Sequence, residues 1–132
     1  MFALDSGALL AMINFEQGAS LVRQLLRDNR GQCVIHAVNL MEIYYGCLRE
    51  GGSNYADKVL DTIDRAGVDI RNDLDIDFLR DTSFLKVNHK MSLGDTFGVA
   101  LARRLDCEFV STDHHELDAV AAAGVCKLLF IR

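Results

Sequence analysis

The sequence predicts an α/β fold, with a parallel sheet of roughly four to five short strands covered on both faces by helices. Two observations carry this. Short apolar runs such as Phe2-Ala3-Leu4 and Cys33-Val34-Ile35 alternate with longer segments of helical spacing. The chain also has no proline, which suits short connections between regular elements.

Phe2-Ala3-Leu4 reads as a buried strand, with Ser6 as the cap of a helix through Ile13. Residues 15–28 have helical spacing, with Ala19, Val22, Leu25 and Leu26 on one face, and Asn29-Arg30-Gly31 stops them. Cys33-Val34-Ile35 is a second strand. Leu40, Ile43, Tyr44, Cys47 and Leu48 line a third helix, ended by Gly51-Gly52. Residues 53–66 repeat the pattern through Ala56, Val59, Leu60 and Ile63, and Gly67 stops them. Val68-Asp69-Ile70 is a short strand. Asp75 or Asp77 can cap a helix carrying Phe78, Leu79, Phe84 and Leu85. A helix from Leu93 to Leu105, a strand over 107–111, a helix over 114–123 and a strand over 127–131 close the alternation.

With 132 residues, the chain is expected to form one domain, 1–132, around one core. Half its residues are hydrophobic and a quarter charged, an ordinary globular balance. The longest uncharged apolar run, residues 7–13, is too short to span a bilayer. No basic segment opens the chain and Asp5 interrupts its first apolar stretch, so a cytoplasmic protein without a signal peptide is expected. Cys33, Cys47, Cys107 and Cys126 form no C-x-x-C motif and read as small buried hydrophobes in a reducing compartment. The net charge of −5 counts mildly against a nonspecific nucleic-acid binder. That objection weakens if acids hold a cation, which inverts the local potential.

Four acids stand beside apolar sequence: Asp5, Glu42, Asp95 and Asp113. A carboxylate next to a core is costly unless something neutralises it. Asp5 ends the first strand and Asp113 follows the strand over 107–111, so both point to the carboxyl edge of a parallel sheet, where ligands of such folds bind. Asp95 falls in the first turn of its helix, where the macrodipole favours a negative charge, although a plain capping role fits it equally. Gly98, one turn on, reads as open space for a metal or a phosphate. Glu42 lies at the boundary of an apolar helical face. Oxygen-only ligation by converging carboxylates selects Mg²⁺ or Mn²⁺.

Leu4-Asp5-Ser6, Asn39-Leu40-Met41-Glu42-Ile43-Tyr44-Tyr45-Gly46, Leu93-Gly94-Asp95-Thr96-Phe97-Gly98 and Val110-Ser111-Thr112-Asp113, in that order, resemble the motifs of a PIN domain. The chain is most similar to the VapC-type ribonuclease toxins of bacterial toxin–antitoxin pairs, and the likeness runs its whole length. The resemblance implies a three-layer α/β/α fold and a Mg²⁺- or Mn²⁺-dependent endoribonuclease. It implies catalytic and metal-ligating roles for Asp5, Glu42, Asp95 and Asp113, with Ser6 and Thr112 hydrogen-bonding the ligands. It further implies an RNA substrate, a cognate antitoxin and a homodimer, for which the exposed edges of helices such as residues 53–66 are candidates. Three positions depart from the pattern. Gly98 replaces a larger residue, and Gly94 stands where Ala is common. His36 replaces the usual Ser or Thr and leaves the third helix without its usual cap.

Other readings are weaker. Asp113-His114-His115 imitates a phosphoesterase motif that also needs an Asp-x-Asp near the first strand, and residue 7 is Gly. Asp73, Asp75 and Asp77 open like a calcium loop, but Phe78 and Phe84 occupy positions that need Gly and Glu. A phosphoacceptor receiver domain needs paired acids after the first strand, and Asp5 is alone. An inactive PIN-like module that binds protein or RNA remains open. Lys86, Lys90, Arg103 and Arg104 read as a phosphate track near Asp95 or as solvated surface.

Overall fold

A computed structural model describes residues 1–132. The strands are β1 (Phe2–Leu4), β2 (Cys33–His36), β3 (Asp69–Arg71), β4 (Glu108–Ser111) and β5 (Lys127–Phe130). All pair in parallel, in the order β3-β2-β1-β4-β5. The helices are α1 (Ser6–Ile13), α2 (Ala19–Asp28), α3 (Ala37–Arg65), α4 (Ile76–Asn88), α5 (Leu93–Leu105) and α6 (His114–Ala122). This is the expected α/β architecture. Strand order reverses between β1 and β4, which leaves a crevice at their carboxyl ends.

Alternation along the central strands builds two cores, because successive side chains leave a strand on opposite faces. Leu4, Ile35 and Val110 pack with Leu9, Val22, Ile43 and Ile63 from α1, α2 and α3. Ala3, Val34 and Phe109 pack with Phe78, Leu85, Val99, Leu101, Leu117 and Val120 from α4, α5 and α6. All four cysteines are free. Cys33, Cys47 and Cys107 are buried and Cys126 is partly so. No helix is long and apolar enough to cross a membrane.

Several local expectations are revised. Asp5, not Ser6, caps α1. Asp5 keeps extended backbone while Ser6 is already helical, and Asp5 Oδ1 accepts the Ala8 N–H at 2.6 Å. The second helix starts only at Ala19, because Phe15 turns at a φ of 56° and stands exposed, with the Arg23 guanidinium over its ring. The division expected at Gly51-Gly52 is present: the helical run 37–65 breaks at Gly52, whose φ of 83° a side-chain-bearing residue rarely adopts. Asp75 caps α4 by accepting the Phe78 N–H at 3.0 Å, and only Phe78 and Leu85 of its expected apolar face are buried.

The third helix does not lack a cap. His36 Nδ1 accepts the Val38 N–H at 3.0 Å, and His36 Nε2 meets the Asp73 carbonyl oxygen at 2.9 Å. An amide can only donate, so the ring hydrogen sits on Nε2 and the imidazole is neutral. Burial holds its pKa below the ordinary value, and Phe78 stacks on its ring at 5.4 Å. Gly98 does not open room for a ligand either. A Cβ there would lie 2.3 Å from the Phe109 ring, so glycine lets α5 settle onto β4.

Candidate active site at the carboxyl edge

Asp5 leaves the end of β1 almost fully buried. Its Oδ2 accepts the Ser111 hydroxyl, and its Oδ1 is held by the α1 cap. Burial pushes its carboxyl up to about 6; the Ser111, Ala8 and Thr112 hydrogen bonds oppose the rise, and the Asp113 charge adds to it. Ser111 Oγ also accepts the Asp113 N–H at 3.0 Å, so one buried hydroxyl joins both acids across β1 and β4.

Asp113 caps α6 through the Glu116 N–H at 3.2 Å. Asp95 sits in the first turn of α5, behind the Ser92 cap at 3.2 Å. Carboxylate oxygens of Asp95, Asp113 and Glu116 lie within 4.8 Å of one another. Asp95 is half-buried, and its carboxyl is pushed up to about 8. Desolvation is the main cause, followed by hydrogen bonds shared with Glu116 and Asp113 and by the charges of Asp5 and Asp113. Glu116 moves the other way, because it accepts from Asp95 and from the Ser92 N–H at 2.8 Å.

Glu42 joins from α3. Its carboxylate packs so closely on Gly94 that a Cβ there would meet Oε1 at 2.2 Å, which gives a local reason for glycine just before Asp95. Asn39 donates to Glu42 Oε1 at 3.2 Å and to the Gly94 carbonyl oxygen at 2.9 Å. This ties α3 to α5 and leaves the buried Asn39 Oδ1 with no partner. Ser6 reaches Glu42 only at 3.5 Å, the limit of a hydrogen bond. The Thr112 hydroxyl lies against Gly7, 2.6 Å from where a Cβ would stand.

Asp95 and Asp113 thus meet with Glu116, Asp5 is joined to Asp113 through Ser111 and adds its charge to Asp95, and Glu42 lies alongside through Gly94. Sequence reasoning missed Ser111, Asn39 and Glu116. Asp113-His114-His115-Glu116 has the spacing of a capping box, which is a signal for Glu116. Its side chain, however, crosses to α5 instead of folding back. The site is an open crevice. The largest cavity, about 430 Å³, lies at the opposite edge beside Cys107 and Cys126 and touches none of these acids.

A PIN domain model matches residues 2–123. The chain belongs to the PIN domain family. Solved structures with this PIN fold include a toxin–antitoxin complex from Klebsiella pneumoniae, 17% identical, covering 100% of this chain and 98% of that one at a TM-score of 0.77. VapC20 from Mycobacterium tuberculosis, a sarcin–ricin loop cleaving toxin, is 14% identical and covers 90% and 95% at 0.70. DNA-bound VapBC from Salmonella typhimurium is 14% identical and covers 99% and 98% at 0.74. No curated protein sequence matches the chain significantly. Membership of the PIN family removes the receiver-domain reading.

Proposed function

We propose that this PIN domain is a Mg²⁺- or Mn²⁺-dependent endoribonuclease, acting in the cytoplasm as the toxin of a toxin–antitoxin pair, with residues 1–132 working as one unit. The observation that carries the reading is the meeting of Asp95, Asp113 and Glu116 at the strand-order reversal, with Asp5 beside them. Structural neighbours described as a toxin–antitoxin complex and as a sarcin–ricin loop cleaving toxin support it.

The residues fit a divalent cation. Their donors are carboxylate oxygens only, and the spacing of Asp95, Asp113 and Glu116 is within reach of one six-coordinate ion. The pKa of Asp95 is raised chiefly by desolvation, with the charges of Asp5 and Asp113 adding to it, and a bound cation would offset both. Asp5, Asp95 and Asp113 would hold the ion, with Glu42 as a further ligand or acting through water. When bound, the cation lowers the pKa of a coordinated water and stabilises charge developing on the scissile phosphate. Ser111 fixes the rotamer of Asp5, and Asn39 fixes that of Glu42, so ligand geometry is set before substrate arrives. In-line attack by water leaves 5′-phosphate and 3′-hydroxyl ends.

The test is cleavage of total RNA by purified protein in Mg²⁺, Mn²⁺ and EDTA, with mapped product ends. Cleavage requires the metal, and Asp5→Asn or Asp113→Asn abolishes it in protein that still folds. Equal cleavage in EDTA, or 2′,3′-cyclic phosphate ends, refutes the mechanism. A folded wild type that binds RNA or protein and cuts nothing supports the inactive-module reading instead. For partners, we propose an antitoxin whose basic side chain reaches the acids, and a homodimer through the exposed edge of residues 53–66. Harmless expression with no neighbouring gene product that binds the protein refutes the toxin assignment alone.

A further inference from the structure

We propose that the cleft between the α4–α5 connection and α6 is a phosphate-binding subsite that holds the RNA backbone beside the acidic cluster; the proposal rests on the ribonuclease reading above. The cleft encloses about 230 Å³ and is lined by His89, Lys90, His115, Glu116, Ala119 and Val120. Glu116 is also a member of the carboxylate cluster, so cleft and cluster share a wall. A strand whose scissile phosphate lay over Asp95 and Asp113 would run its next phosphates into this cleft.

Charge supports that occupant. RNA is a polyanion and the chain carries −5, so backbone contact needs local cations. Most cations near α5 are committed elsewhere. Lys86 donates to the Met91 carbonyl oxygen. Arg103 pairs with Asp81 and with the Val125 carbonyl oxygen, and Arg104 with Asp73 and Asp75. The phosphate track of Lys86, Lys90, Arg103 and Arg104 therefore narrows to Lys90, which joins none of the ion pairs. The imidazoles of His89 and His115 bring further N–H donors to the same cleft. Glu116 accepts the Ser92 N–H at 2.8 Å, on the side of the cluster. Ala119 and Val120 offer no side-chain donor or acceptor to a base edge, and Lys90 contacts the strand through its phosphates.

The experiment measures binding of a single-stranded RNA oligonucleotide by fluorescence anisotropy across a salt series, with Ca²⁺ in place of Mg²⁺ to prevent cutting. Lys90→Ala weakens binding roughly 3- to 10-fold at moderate salt and lowers the slope of log K against log salt by about 0.7, the value for one phosphate contact on a single strand. His115→Ala weakens binding further. In Mg²⁺ both changes raise KM more than they lower kcat, and Lys90→Arg restores binding. Lys127→Ala, at the opposite edge, changes nothing. Unchanged affinity and slope in Lys90→Ala, with cleavage intact in the wild type, overturn the subsite and leave the nuclease standing. Slope-sensitive binding through Lys90 without any cleavage supports the subsite and overturns the nuclease. Equal competition by polyglutamate of matched charge assigns the cleft to an acidic protein segment and overturns the proposal, as does a wild type that binds no RNA.

Discussion

Replacing Asp95 with Asn should stabilise the metal-free protein while destroying its response to metal. In the fold, the Asp95 carboxyl is pushed from 3.8 to about 8. At pH 7 the folded chain holds a proton that the unfolded chain releases, across about three pH units. At ~1.4 kcal/mol per unit this caps the cost at ~4 kcal/mol. Two effects reduce it. Asp95 is half-buried, so water screens part of the repulsion. Part of its rise also returns as the fall on Glu116, which shares the hydrogen bond. About 2 kcal/mol remains, or several degrees in Tm for a domain of this size.

The sign follows from the direction of the shift. A raised carboxyl pKa leaves the fold unpenalised below the unfolded value near 4 and removes stability as pH rises toward 8. Urea unfolding in EDTA should therefore show Asp95→Asn more stable than wild type at pH 7 to 8, with the gap closing near pH 4. Adding Mg²⁺ should reverse the order, because the cation stabilises only the chain that binds it, by RT ln(1 + [L]/Kd). A wild type more stable than Asp95→Asn in EDTA at pH 8 would refute the electrostatic account. A variant as responsive to Mg²⁺ as the wild type would remove Asp95 from the metal site.

The remaining predictions concern packing and caps. His36 is buried neutral with a lowered pKa, so its contribution is complete above pH 6.5 and is lost as pH falls from there through the folded value. His36→Asn, which keeps a capping acceptor, should flatten that acid limb in urea titrations, and an unchanged limb would exclude His36 as its source. Gly98→Ala forces a Cβ to 2.3 Å from the Phe109 ring and should cost ~1–3 kcal/mol, with Phe109→Leu relieving much of it in a double-mutant cycle. Strict additivity of the two changes would show that they do not touch.

The fold was legible because its signals are local. Apolar triplets such as Phe2-Ala3-Leu4 and turn residues such as Gly67 mark the strands without reference to partners. The strand ends at Asp5 and Ser111 also indicate that Asp5 and Asp113 share an edge, since all strands of a parallel sheet point one way. What was misread depends on contacts between distant segments. The space beside Gly98 belongs to Phe109, a residue of another strand. His36 lacks the hydroxyl of a usual cap, yet its ring nitrogen accepts the same amide hydrogen. Ser111, Asn39 and Glu116 each bridge two elements, so their roles appear only when β1 meets β4, α3 meets α5, and α6 meets α5.

The costs in this molecule are not scattered. The orphaned Asn39 Oδ1, the raised carboxyls of Asp5 and Asp95, and the close oxygens of Asp113 and Glu116 all gather near the carboxyl edge. A purely structural acid cluster is relieved most simply by a nearby guanidinium. The chain uses that solution a short distance away, where Arg71 and Arg104 hold Asp73, and Arg104 also holds Asp75. None of its ion pairs reaches Asp5, Glu42, Asp95 or Asp113. Leaving these acids without a cation of the chain's own, while a serine and an asparagine hold their rotamers, keeps their oxygens available to a charge from outside. Raised and unpaired carboxylates gathered at one edge, where the chain supplies no cation, are what a site for an external cation requires.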